Sequence, residues 1–199
     1  MKLYKYTPHN KCYKYDIIKK CELWFAKFSE LNDPVDSNLA YRKEYSDDEI
    51  KTALEYFAKI DKMDKKAVLQ HFSEKSNFIF FRERYADILK EKIGVLCLSQ
   101  NPKNILMWSH YANAHKGIVY EFETKDLFSH AKYKGFSNAP DKMDYVSEYE
   151  LLSYAVIDDE LTKQCEMELL TKAQDWAYEK EYRYIDLQKS GAKNLIQAV

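Results

Sequence analysis

Glycine and proline are scarce in this chain, with 4 of each in 199 residues. That composition argues against long disordered linkers. Cysteine is just as rare. Cys12, Cys21, Cys97 and Cys165 form no Cys-x-x-Cys pair, which speaks against a tetrahedral zinc site. Neither sign of charge dominates: 31 basic and 32 acidic residues leave a net charge of -1. No global field therefore attracts nucleic acid or a membrane. No apolar run approaches a membrane span, and the opening Met1-Lys2-Leu3-Tyr4 has no signal-peptide character. These absences together predict a cytoplasmic protein with reduced thiols.

Aromatic side chains are plentiful: 17 Tyr, 10 Phe and 3 Trp make up 15% of the chain. Tyrosine has an apolar body and a polar tip, so it suits both half-buried sheets and ligand-lined clefts. The length is enough to bury a core without staples, and one domain over 1–199 is expected.

The predicted fold class is α+β, with a mainly antiparallel, twisted sheet and flanking helices. Ile93 to Ser99 is a short apolar run bounded by polar residues, the mark of a buried strand. Further strands are expected near Tyr4, Trp24, Val119, Tyr145 and Tyr182. Ser46-Asp47-Asp48-Glu49 is a capping box, followed by Ile50, Ala53, Leu54 and Phe57 at helical spacing. With two more helices it forms a helical insert over about 46–92. Asn104 is a good N-cap for a helix through Ala112. That helix is apolar nearly all round, which predicts close cover on every side and a crowded place for His110. His110 is then either a core histidine with satisfied partners or a cleft residue. Asp158-Asp159-Glu160 opens a last helix, whose apolar stripe runs from Leu161 to Trp176.

Two places carry chemical potential. Asn32-Asp33-Pro34-Val35-Asp36 bends its own backbone and fixes the turn with Pro34. It reads equally as a rigid clip and as a ligand-contacting loop, with Asn32 and Asp33 as candidates. Tyr178 to Ile185 alternates strictly, as a strand does, so Glu179, Glu181 and Arg183 share one face. Same-face neighbours lie roughly 7 Å apart, close enough for two carboxylates to touch one sugar. Spacing alone also fits a solvated face of Glu–Arg pairs.

Several segments together resemble a bacterial and phage family of unknown function, DUF2971. They are Leu3-Tyr4-Lys5-Tyr6, Leu31-Asn32-Asp33-Pro34, Cys97-Leu98-Ser99, Met107-Trp108-Ser109-His110-Tyr111, His115-Lys116-Gly117 and Trp176 to Arg183. The family implies no activity. A weaker resemblance, to ADP-ribosyltransferase folds, rests on the order Tyr4 or Tyr6, Ser99 and Glu181 with Glu179. It implies NAD, a small-molecule nucleotide, as cofactor and no metal. Glu181 and Glu179 would then be the catalytic pair. Tyr4, Ser99, Trp108, His110, Tyr111 and Arg183 would shape the cofactor site. The macromolecular acceptor and the oligomeric state are left open. The competing readings are a non-catalytic binding module in phage–host conflict and a metal-dependent nuclease using Asp33, Asp36, Glu179 and Glu181.

Overall fold

In the computed structural model, which describes residues 1–9, 15–36, 38–125, 127, 139–186 and 192–195, one strand has three partners. That strand, β3 (Gly94–Ser99), is buried almost throughout. The continuous apolar run Val95-Leu96-Cys97-Leu98 gives it a face toward each side of the sheet. Along one edge it pairs antiparallel with β8 (Glu181–Asp186), from Gly94↔Asp186 to Ser99↔Glu181. Its other edge is shared. β1 (Lys2–Thr7) meets it at one end, Tyr4 beside Ser99. β2 (Glu22–Lys27) meets it at the other, Ala26 and Lys27 beside Val95 and Gly94. The two strands therefore part from β3 in between, alongside Leu96 to Leu98.

The rest of the sheet extends these partners. β4 (Ile118–Glu123) pairs with β1, β9 (Ala192–Leu195) with β2, and β5 (Asp141–Lys142) with β8, all antiparallel. One predicted strand lies elsewhere. Tyr145 belongs to β6 (Asp144–Val146), which pairs in parallel with β7 (Thr171–Ala173) in a separate two-stranded sheet. β5 already occupies the outer edge of β8 at Arg183 and Tyr182, so the residues after it find another partner.

The even-numbered positions of β3 point to the main core. Leu96 and Leu98 pack with Leu3, Leu23, Phe25 and Tyr184. The opposite face, carrying Cys97 and Ser99, meets the residues of the candidate site. The insert forms as predicted from three helices, α2 (Asp47–Ile60), α3 (Lys65–Phe72) and α4 (Lys75–Lys90). Ser46 and Glu49 close the capping box, and Ile50, Leu54, Phe57, Val68 and Phe78 share one core.

Three expectations are corrected. Asn104 caps α5 (Ile105–Tyr111), but only Met107 is buried within it. Ile105 is 73% exposed and Leu106 47%, and His110 is exposed as well. A helix this short rests on β1 through one face, Met107 with Trp108 and Tyr111 against Tyr6. Next, α6 (Asp158–Leu170) stops before Ala173 and Trp176, because Thr171 to Ala173 leave it to pair with β6. Finally, the strict alternation from Tyr178 is strand only from Glu181 onward. Gln174–Glu179 is a 3₁₀ turn, and Lys180 adopts φ 45° and ψ 51°. That left-handed residue reorients the chain, so Glu179 reaches the site from a turn rather than a strand face. Asp16–Lys19 forms a short helix, α1, while 11–14, with Cys12, lie outside the described residues. Cys21, Cys97 and Cys165 are free thiols.

Candidate active site

Where β1 and β2 part from β3, a cavity of about 480 Å³ opens. That is within the ordinary size of a small-molecule site, roughly 300–1,000 Å³. Lys5 of β1 reaches into the gap, and its ammonium donates to the Cys97 carbonyl at 3.0 Å. Burial lowers the pKa of that ammonium. Tyr4, Tyr6, Trp24 and Tyr111 add aromatic surface to the wall.

Below the cavity lies a buried cluster of five charged groups. Arg183, with no exposed surface, grips Asp36 with two hydrogen bonds, Nη1–Oδ1 at 2.8 Å and Nη2–Oδ2 at 2.5 Å. Its Nε donates to Glu181 Oε1 at 2.9 Å. Lys172 sits at the other side, 2.6 Å from Glu179 Oε2, 3.2 Å from Glu181 Oε2 and 3.6 Å from Asp36 Oδ2. The Trp176 ring lies over its ammonium, 4.9 Å away. Buried charges persist only when paired in this way. The remaining oxygen of Glu179 accepts a short hydrogen bond from the Tyr111 hydroxyl, which also lies 3.0 Å from Asn32 Oδ1.

The environments of the two glutamates pull their acidities apart. Burial raises the pKa of Glu181, but Arg183 and Lys172 reverse that and hold it well below the usual carboxylate range. Burial also raises Glu179, and there it prevails over Lys172, with the Glu181 charge adding to the rise. Lys172 is opposed by burial too, yet Glu181, Glu179 and Asp36 lift it above its ordinary value. The Tyr111 hydroxyl is pushed far up by burial and by Glu179. Two carboxylates whose environments diverge like this are suited to different tasks.

The residues predicted from sequence are distributed as follows. Tyr4, Ser99, His110, Tyr111, Glu179, Glu181 and Arg183 all line the cavity, and so does Asn32. Ser99 acts as a clip. Its hydroxyl donates to the Glu179 carbonyl at 2.6 Å and accepts from the Asn101 amide at 3.0 Å. Tyr4 donates to Glu121 at 2.9 Å. Trp108 stands behind the wall instead: its indole donates to Pro102 O at 2.9 Å, and its ring packs edge-on to Tyr6. His110 lies near Trp176 and Tyr178, each 6.4 Å away between ring centroids. Asp33 is a loop clip, its Oδ1 accepting from Val35 N at 2.9 Å, and it faces a different cavity.

Sequence reasoning missed Lys172, Lys5, Cys97 and Tyr145 as members of the site, and used Asp36 only as a metal ligand. Tyr145 holds the site from below, its hydroxyl accepting from the Glu181 amide at 2.8 Å. Among the described residues, no group of three or more His, Cys, Asp or Glu could hold a metal ion. Asp36, Glu179 and Glu181 converge, but Lys172 and Arg183 occupy the space between them.

The span from Met107 in α5 to Tyr184 in β8 frames most of this machinery. Residues 107–184 match the model of a family described as "Protein of unknown function (DUF2971)". Over that span the chain is similar to DUF2971. The DUF2971 match takes in Tyr111, Lys172, Glu179, Glu181 and Arg183, and leaves Tyr4, Lys5, Asp36 and Ser99 outside it. No curated protein and no solved structure matches the chain. No helix among the described residues is long and apolar enough to cross a membrane.

Proposed function

We propose that this chain is an NAD-consuming enzyme that transfers or hydrolyses ADP-ribose at the nicotinamide glycosidic bond. One observation carries the reading. Tyr4, Ser99 and Glu181 are neighbours in register on β1, β3 and β8, beside the cavity opened by the parting of β1 and β2. The cluster under that cavity has three carboxylates against two cations. With every group ionised it carries one excess negative charge, buried beside the space a substrate would fill. Fixed charge in a dry site stabilises the cationic, oxocarbenium-like sugar centre formed as nicotinamide leaves. Tyr4, Tyr6 and Tyr111 offer faces for a planar ring, and Lys5 offers a cation for a phosphate. Glu181 anchors the cluster, and Glu179 serves the acceptor from behind the Tyr111 hydroxyl. A role as an effector in phage–host conflict goes with this reading and rests on the resemblance alone.

The metal-dependent nuclease loses ground, because Lys172 and Arg183 already neutralise the acids it would use. A non-catalytic binding module is favoured by a different observation: both oxygens of Glu181 are paired to cations, as in a structural ion-pair network. Nicotinamide release and direct NAD binding separate the two readings. The enzyme releases nicotinamide, and Glu179→Gln slows that release without weakening NAD binding. A wild-type protein that neither binds NAD nor releases nicotinamide would overturn the proposal.

A further inference from the structure

Glu179 is only 2% exposed, so a substrate in the cavity cannot touch its carboxylate freely. The Tyr111 hydroxyl can reach both. It donates to Glu179 Oε1, its ring lines the cavity, and on its other side lies the exposed Asn32. Within the cluster, Glu179 Oε1 is distinctive. Glu181 and Asp36 each have both oxygens against cations, and Glu179 Oε2 is held by Lys172. Glu179 Oε1 meets the Tyr111 hydroxyl instead. It is therefore the place where the cluster can take up the single proton that brings its net charge to zero.

We propose that Tyr111 is a catalytic residue, relaying a proton from the attacking hydroxyl or amine of the acceptor to Glu179. The inference rests on the glycosyl-transfer reading and adds the route by which the nucleophile is activated. The nucleophile's O–H or N–H bond breaks and its proton goes to the Tyr111 oxygen. The proton already on Tyr111 passes to Glu179 Oε1. The freed electron pair bonds to the anomeric carbon, and the pair of the breaking glycosidic bond leaves with neutral nicotinamide. The proton then returns from Glu179 to water by the same path. The raised pKa of Tyr111 keeps it a hydroxyl between transfers, and the raised pKa of Glu179 suits it to receive the proton.

Two measurements on wild type, Tyr111→Phe and Glu179→Gln decide the matter. The first is nicotinamide release with NAD bound. Tyr111→Phe keeps its NAD affinity and its fold, melting somewhat lower for the one lost hydrogen bond, but loses turnover by about 10²–10⁴-fold, the usual worth of positioned acid–base groups. Turnover near the wild-type rate would overturn the relay. The second needs no activity. After a rapid drop in pH, the carboxylic-acid infrared band absent from Glu179→Gln reports protonation of Glu179. That band appears more slowly in Tyr111→Phe than in wild type, because the proton has lost its path. Equal rates would overturn the relay even if wild type releases no nicotinamide, a result that would instead sink the glycosyl-transfer reading.

Discussion

Arg183 and Asp36, 147 residues apart in sequence, meet as a two-bond ion pair with almost no solvent contact. Planar guanidinium matches carboxylate geometry, so the contact fixes direction as well as distance. It ties the Asn32–Asp36 loop beneath β8, and with it the side of the cavity that carries Asn32.

The cluster makes the two glutamates unequal in stability as well as acidity. Glu181→Gln takes from Arg183 and Lys172 one of the two carboxylates they share, the other being Asp36. Breaking a buried pair costs about 3–5 kcal/mol, so this variant should unfold at clearly lower denaturant. A sequence argument that treats Glu181 as a free catalytic acid predicts no such loss. Glu179→Gln removes the excess charge and should melt close to wild type at neutral pH. Equal losses in the two variants, measured by urea titration, would contradict this arrangement.

Stability should also depend on pH through Glu179. Its folded pKa is raised above the reference value of 4.5, so the native state holds a proton that the unfolded chain releases. The associated stability is complete below 4.5 and is lost as pH rises through the folded pKa. Glu181 works in the opposite sense. Its depressed pKa contributes stability above 4.5, lost as pH falls below that value. Subtracting the melting curve of Glu179→Gln from that of wild type over this range isolates the first effect. A flat difference would refute it.

Trp108 should prove structural. Its indole N–H satisfies Pro102 O, and its ring props the edge of Tyr6, which lines the cavity. Trp108→Ala should cost about 3 kcal/mol. Trp108→Phe keeps an aromatic ring there and should cost less, about 1 kcal/mol for the lost hydrogen bond. Thermal melts that leave Trp108→Ala at the wild-type midpoint would show that the ring supports nothing.

Gly117 should tolerate no side chain. A Cβ there would stand 2.5 Å from Thr7 O and 2.7 Å from Ala112 Cα, both backbone atoms of packed elements. Gly117→Ala must push β4 away from β1 or lift the end of α5. Overpacking of this kind costs about 1–3 kcal/mol, and a circular-dichroism melt measures it directly.

Local chemistry was legible in the sequence, and long-range contact was not. Ser46 with Glu49, and Asn104 with the two amides after it, announced their helices because caps act within one turn. Val95 to Leu98 announced a strand buried on both faces. The apolar stripe from Leu161 to Trp176 misled, because β7 and the 3₁₀ turn bury the same residue types that a longer helix would. Pairing of Val146 with Ala173 ends the helix, and no local signal reports it. Lys172 was invisible for the same reason. A lysine following an apolar run reads as surface, and only the convergence of three acids makes its burial affordable. His110 misled in the other direction, since Ile105 and Leu106 suggested a cover that the described residues do not supply.

Lys180 separates the two glutamates and has a left-handed backbone. Its side chain is exposed, so its contribution is torsional rather than chemical. The position works as a hinge pin that lets two acids from different kinds of backbone converge on one ammonium. Among relatives, the residue between the two acids should therefore be one that accepts a positive φ, such as Gly, Asn, Asp or Lys. A β-branched residue there would keep the Glu-x-Glu spelling and lose the convergence. That single position would then sort relatives that retain the site from those that keep only its letters.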